Sequence, residues 1–280
     1  TISKDNKDTI IFKGEVARID YIFEASESDS LQIICYDGLY KVAREYHSRA
    51  FLESKISAVA STMAGESGLS VKVDATTTKH EHIYQNNQSN LEFLTMYAKR
   101  LGYEINVFEG KLHFTKAGYQ SKVSSSIELE WGINLTQFDA KIDVSDVLVE
   151  VTVNSWDTTK KVNVESVVAA GKETKIGAVK TLGTSLAKSS LKNSAKVYKL
   201  DIPDLDSTQA KAIATAQLTS ASLNFLVANG MCEGNEKFKI GQFLDIKGVG
   251  KKVSGDYYIT SYEHVFNSKG FKTYFEVKAN

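Results

Sequence analysis

The sequence predicts a mainly β protein with α+β excursions: two antiparallel β-barrel-like domains, a small α+β domain and a helix-containing insertion. Three observations predict it. Apolar and polar residues alternate with period two over 10–37, 127–153 and 243–278, the pattern of strands with one covered face. Helical spacing is confined to short capped stretches near 56–63, 91–101 and 213–225. Between them the order is strands, a compact α+β unit, strands, an insertion, and strands, so the second barrel is split in sequence. The expected boundaries are 1–48 for part of the first barrel, 49–118 for the α+β domain, 119–155 with 236–280 for the second barrel, and 156–235 for the insertion.

Residues 10–23 read as a strand bent near Gly14, with Ala17, Ile19, Tyr21 and Phe23 on the half-buried side. The polar stretch EASESDS turns the chain, and Leu31, Ile33 and Cys35 form one face of an antiparallel partner. Ser54 is placed to cap a helix burying Ile56, Val59, Ala60 and Met63, which Gly65 and Gly68 end. Ser89 and Glu92 have the three-residue spacing of a capping box. The stripe Leu91, Leu94, Ala98 and Leu101 follows, and Gly102 stops it. YEINVF and KLHFT then flank Glu109-Gly110, a two-residue hairpin turn.

Beyond Ile127, Val147, Val149, Val151 and Val153 share a strand face that covers a core on one side. Residues 166–196, rich in Ala, Gly, Ser, Thr and Lys, read as an exposed, flexible segment. Asp206 and Gln209 form a second capping box ahead of Ile213, Ala214, Leu218, Ala221 and Phe225, with Asn229-Gly230 as the stop. The tail alternates again, and Phe271, Thr273, Phe275 and Val277 form one face.

Composition narrows function. A hydrophobic share of 42% with 24% charged residues is that of a folded domain. Lys+Arg and Asp+Glu balance at 34 each, leaving no basic field for phosphates, so nucleic acid is not an expected partner. Cys35 and Cys232 are too few for a disulfide framework or a four-thiolate zinc site. The opening TISKDNKDTI carries no signal segment and no initiator Met, which suggests a trimmed chain. No apolar run approaches the ~18 residues of a membrane span, so no membrane insertion by this chain is expected. The single proline, Pro203, excludes a proline-rich linker.

Candidate chemistry is thin. His80 and His82 share a strand face and suit a metal ion, but further ligands are not evident. Cys35 lacks an identifiable base, and no nucleophile elbow is present. The run Gly248 to Lys252 lacks the Gly-Lys-Ser/Thr ending of a phosphate loop and reads as a turn between strands. Glu128 and Glu130 could pair as a glycosidase would require, and Tyr257, Tyr258, Tyr262 and Phe266 could line a sugar or peptide groove, although alternating tyrosines on an antiparallel strand more often serve cross-strand packing or a subunit contact. The expectation is no catalytic, cofactor-binding or metal residue, no cofactor and no enzyme activity.

Residues 84–114, YQNNQSNLEFLTMYAKRLGYEINVFEGKLHF, carry Gln85, Ser89, Phe93, Leu94, Ala98, Gly102 and Tyr103 at the spacing of a helix and hairpin found in phage late-control protein D and VgrG spikes. Phe12-Lys13-Gly14-Glu15-Val16, Tyr36-Asp37-Gly38-Leu39 and Ser54 fit the same pattern. So do Gly241-Gln242-Phe243, Gly255 to Thr260, His264 and Thr273-Tyr274-Phe275 near the end. The sequence therefore resembles this baseplate-hub family over about 10–118 and 235–278, and departs from it in the middle. The family's preceding strands are missing, which implies that the first barrel is incomplete or that the numbering starts inside the protein.

The resemblance implies a structural hub or adaptor of a phage tail, contractile injection system or type VI secretion system. Such a hub is a homotrimer that joins an inner tube protein to a spike or needle protein among other baseplate subunits. It is assembled in the bacterial cytoplasm and carried in the virion tail or injection particle, or secreted with the spike. The alternatives are a carbohydrate- or cell-surface-binding β module, on the tyrosine-rich strands, and a cell-wall hydrolase, on Glu128.

Overall fold

A computed structural model describes residues 2–4, 7–23, 29–108, 110–118, 127–158, 160–177 and 182–280. The fold is mainly β, as expected, with one curled half-barrel sheet, several smaller sheets and few helices. It divides into two compact units, 1–99 with 103–115, and 100–102 with 116–280.

The first unit opens with a hairpin, β1 (Ile2–Lys4) and β2 (Lys7–Thr9), and a ribbon, β3 (Glu15–Ile22) and β4 (Ser30–Tyr36). Helix α1 (Leu39–Ala43) leads to β5 (Tyr46–Ser54), α2 (Ile56–Glu66), β6 (Ser70–Val73), β7 (His80–Ser89), α3 (Asn90–Leu101), β8 (Tyr103–Phe108) and β9 (Lys111–Lys116). β5 pairs antiparallel with β7, and β6, β9 and β8 form a small sheet in which β6 and β9 run parallel.

The helical stripes are buried as their spacing dictates: Ile56, Val59, Ala60 and Met63 on α2, and Phe93, Leu94 and Ala98 on α3. The capping box at α3 is complete, with Ser89 Oγ accepting from the Glu92 N–H at 3.1 Å and Glu92 Oε2 accepting from the Ser89 N–H at 2.8 Å. Ser54 does not cap α2. Its hydroxyl donates to the Leu52 carbonyl, and the orphan Ser57 N–H at the helix start is taken by Thr76 Oγ1 at 3.1 Å. Gly102 sits at φ 68° and stops α3. The expected turn residue Glu109, and Glu24 to Ser28 of the first turn, lie outside the described residues.

The second unit runs β10 (Ile127–Glu130), β11 (Leu135–Ile142), β12 (Leu148–Asp157), β13 (Val162–Ala169), α4 (Gly183–Leu191), β14 (Lys196–Asp201), α5 (Ser207–Ser222), β15 (Leu226–Glu233), β16 (Phe243–Lys247), β17 (Gly255–Asn267) and β18 (Gly270–Ala279). Six strands make the curled sheet in the order β10-β16-β17-β18-β15-β11, antiparallel except for β10–β16. Its two edge strands are consecutive in sequence, and the turn between them draws the edges together. Trp131 bridges Leu135, and Asn134 accepts from the Glu130 N–H at 2.7 Å while donating to the Glu128 carbonyl at 3.1 Å. Leu129, Leu135, Phe238, Leu244, Ile259 and Phe275 fill the interior with the other inward side chains.

β12 serves two cores. Val147 and Val149, at its start, join the half-barrel core, whereas Val151 and Val153 pack under α5 with Ile213, Ala214 and Leu218. The opposite face is covered at one point, since Thr152 is also buried. β13, β12 and β14 form the sheet on which α5 lies, with β12 and β14 parallel. The capping box at α5 is present, with both Asp206–Gln209 hydrogen bonds at 2.8 Å.

Two expectations are corrected here. The described residues of 166–196 are not an exposed segment. They contain the end of β13 and α4, and Glu173, Ile176, Thr184 and Ala187 are buried. Asn280 holds the loop: its side chain accepts from the Ile176 N–H at 2.7 Å and donates to the Thr174 carbonyl at 2.8 Å and Ser222 Oγ at 2.7 Å. Among the described residues of 156–235, α4 stands beside the expected helix α5. The small, polar composition that reads as a linker instead fits close packing: a Cβ on Gly183 would meet the Phe225 ring 2.2 Å away, and one on Gly177 the Asp256 carbonyl at 2.4 Å.

Asn229-Gly230 does not end α5, which stops at Ser222; both residues lie in β15. A Cβ on Gly230 would fall 2.3 Å from the Phe275 ring, so glycine is needed there for strand-to-ring approach. Gly230→Val is expected to lower the stability of the second unit by about 1–3 kcal/mol through overpacking, measured as a drop in the urea midpoint with unchanged m-value.

Candidate functional site

The residues that looked capable of chemistry do not come together. His80 and His82 lie on one side of β7, opposite the buried Ile83 and Gln85, and no group of three metal-ligating side chains occurs among the described residues. Glu128 and Glu130 point outward from β10, and Glu128 pairs with Lys247 at 2.6 Å. The Gly248–Lys252 run connects antiparallel β16 and β17, with Gly248 and Gly250 at φ 79° and 97°. Cys232 is buried in the half-barrel core, where loss of water pushes its thiol up to about 12.

The tyrosines that could have lined a groove are largely interior, as the packing reading of their alternation has it. Tyr257 and Tyr258 are buried; Tyr257 donates to the Val253 carbonyl at 2.6 Å, and Tyr258 Oη accepts from the Gly118 N–H at 3.1 Å. Tyr262 is half-buried against Phe238, and Phe266 is exposed at the strand end. The feature that suggested a carbohydrate module therefore belongs largely to the core, because β17 is a central strand with apolar neighbours on its inner face.

The motif residues have structural tasks. Arg49 on β5 makes a bidentate pair with Glu66 at the end of α2, both N–O distances being 2.7 Å. The same guanidinium donates to Gln85 Oε1 at 2.9 Å and Asn90 Oδ1 at 3.1 Å, and Gln85 Nε2 donates to Asn90 Oδ1 at 3.0 Å. Gln85 and Asn90 are buried, so this network joins β5, α2, β7 and the start of α3 through satisfied polar groups. Tyr103 donates to the Ala75 carbonyl at 3.2 Å and packs on Phe114. In the second unit, Thr273 Oγ1 accepts from the Asn235 N–H and is also hydrogen-bonded to His264 Nδ1, both at 3.0 Å. Burial lowers the basicity of that imidazole, which favours its neutral form.

What sequence reading missed is an uncovered surface. The β3–β4 register pairs Val16 with Cys35, Ile19 with Ile33 and Tyr21 with Leu31, which puts these apolar side chains on one face; Phe23 follows Tyr21 at the same spacing. The alternation promised a half-buried ribbon, yet Tyr21 and Phe23 are 70% and 76% exposed, and Ile33 is 51% exposed. The period-two signal was correct about sidedness but silent about what lies against the side.

The sequence matches the model of the Alg8 N-terminal domain over residues 2–268. The chain belongs to that family. No curated protein matches it. Among solved structures, the fold is similar to a tail protein from Neisseria meningitidis, with TM-score 0.72, 12% identity, and coverage of 95% of this chain and 79% of that one. It is likewise similar to the 43 kDa tail protein of prophage MuSo2 from Shewanella oneidensis, with TM-score 0.69, 13% identity and the same coverages. A component of the E. coli type VI secretion system, described as similar to T4 bacteriophage tail proteins, aligns with TM-score 0.56 at 8% identity over 95% of this chain and 60% of that one. At these identities the likeness is one of fold.

The Arg49 network has a pH signature. The Arg49 hydrogen bonds hold the Glu66 carboxyl below its ordinary value of 4.5. A carboxyl depressed on folding contributes stability above its unfolded value, and that contribution fades as pH falls through the folded one. Glu66 is more than a third exposed, so water screens the charge term and the buried Gln85 and Asn90 partners dominate. Arg49→Met is expected to destabilise the first unit by about 1–3 kcal/mol at pH 7 and to flatten its stability loss below pH 4.5. Thermal melts from pH 3 to 7 check both parts.

Proposed function

We propose that the chain is a structural hub or adaptor subunit of a phage tail or contractile injection system, of the late-control protein D and VgrG type. In this reading three copies form a ring joining an inner tube protein to a spike or needle protein, beside other baseplate subunits. Residues 119–155 with 236–280 supply the second hub barrel, and 1–48 part of the first. The subunit is assembled in the bacterial cytoplasm and travels with the particle. Its role is mechanical, without catalysis or cofactor.

The observation that carries the reading is the fold similarity to two tail proteins over 95% of the chain. Two further features support it. The residues shared with the hub pattern cap helices, satisfy buried networks and close turns, which is what a rigid adaptor requires. Equal numbers of acidic and basic residues suit a component packed among other subunits better than an electrostatically steered ligand binder.

Deleting the gene in the producing strain tests the role. The expected outcome is particles whose tubes lack spikes, or no assembled tails, with restoration on supplying the chain in trans. Complete, spiked, active particles without the chain would contradict the proposal.

A further inference from the structure

We infer that the open edge of β13 receives an extended segment of another subunit, alternating basic and apolar side chains, as an added strand. That the partner is a subunit of the particle rests on the tail reading above; the edge itself stands on the geometry of the second unit. β13 is an outer strand of the sheet β13-β12-β14, and no further strand pairs with it among the described residues. Its ladder with β12 keeps register from Glu150–Ala169 to Asp157–Val162, without the shift that breaks the β12–β14 ladder. Two bonds fix which backbone groups face which way. The Ala170 N–H donates to the Val149 carbonyl at 2.7 Å, and the Ile202 N–H donates to the Asn154 carbonyl at 3.0 Å. Bonding alternates along an antiparallel pair, so Val162, Val164, Ser166 and Val168 turn their backbone groups toward β12. Asn163, Glu165 and Val167 turn theirs away from the sheet, and all three residues are exposed. The next outward carbonyl, that of Ala169, is already taken by the Lys172 N–H at 3.2 Å. Asn163, Glu165 and Val167 thus present their N–H and C=O groups in strand geometry, which is what a pairing strand bonds to.

The surroundings select the occupant. β14, the other outer strand, carries Lys196 and Lys199 with Pro203 just beyond it, which are devices that keep an edge unpaired. β13 has neither lysine nor proline, and half of its residues are valine. Helix α5 packs over β12 and β13, so a strand added beside β13 lies along its flank. Val162 and Val167, 46% and 52% exposed, call for apolar side chains in that strand. On the face away from α5, Glu165 stands at the edge, with Glu150 and Asp201 on the same face and Lys199 as the single base among them. Asn154 Nδ2 holds Asp201 on that face at 3.0 Å. This acidic excess selects basic residues at alternate positions of the partner. A second copy offering its own β13 is disfavoured, because antiparallel pairing about the centre of the edge would set Glu165 against Glu165.

Hydrogen exchange of the full chain, read by mass spectrometry, tests the inference. The probe is an acetylated, amidated peptide of alternating lysine and valine, compared with its glutamate–valine counterpart. At about ten times its Kd, the lysine peptide is expected to slow exchange over 163–167 about tenfold and to leave α5 unchanged. The glutamate peptide is expected to leave 163–167 as in the free chain. Glu165→Lys gives β13 the device that β14 has, and is expected to abolish the effect of the lysine peptide. Val167→Pro removes an outward N–H and no bond to β12, and is expected to weaken peptide binding about tenfold while β12 amides stay slow. In native particles, 163–167 is expected to exchange more slowly than in the isolated chain.

Equal slowing by the two peptides, slowing that survives Glu165→Lys, or no slowing at any soluble peptide concentration would overturn the inference and leave the tail reading intact. So would protection of 163–167 already present in the isolated chain, or protection that rises with the concentration of the chain, since the edge would then be covered by its own chain or by a second copy. Free exchange of 163–167 in native particles would also overturn it. Absence of the chain from every tail particle, with charge-selective peptide binding retained, would defeat the tail reading and leave the edge as a strand-accepting site.

Discussion

An apolar strand face must lie against something other than water, at roughly 25 cal/mol per Å², and this requirement organises both units. In the second unit it is met internally. Six strands curl so that inward side chains from β10, β11, β15, β16, β17 and β18 share one core, and Asn134 draws the two edges together where β10 turns into β11. β12 extends the solution by giving its first residues to that core and its next ones to the underside of α5. The glycines at 230 and 234 belong to the same constraint, since a side chain at either would displace Phe275 or Phe271. In the first unit the requirement is met by α2, α3 and β9, and left open at the ribbon, where an equally one-sided pattern meets solvent.

That contrast sets what the sequence could reveal. Helix stripes and both capping boxes were legible because they depend on residues three and four apart, as at Ser89 with Glu92 and Asp206 with Gln209. The sidedness of β3, β12 and β18 was legible for the same local reason. What needed distant partners was not. Thr76 caps α2 from 19 residues away, and Asn280 pins a loop 104 residues earlier, which is why 166–196 looked unstructured in isolation. Glycine is ambiguous by nature: at Gly102 it ends a helix with positive φ, while at Gly230 it admits a ring within a strand.

The residues on which the resemblance to baseplate hubs rests serve the scaffold. Gln85 is conspicuous because it is buried and must bond with Arg49 and Asn90; His264 is held by Thr273; Tyr257 and Tyr258 turn inward. The same placement removes the aromatic groove and leaves the paired acids of β10 apart from any enclosed centre. Among the described residues, the distinctive side chains serve rigidity rather than an enclosed reactive centre.

The most direct test of this account is an electron cryomicroscopy map of the native particle with this subunit located. The account predicts a threefold ring of this chain between tube and spike. A single copy, a different symmetry, or absence of the chain from the particle would contradict it.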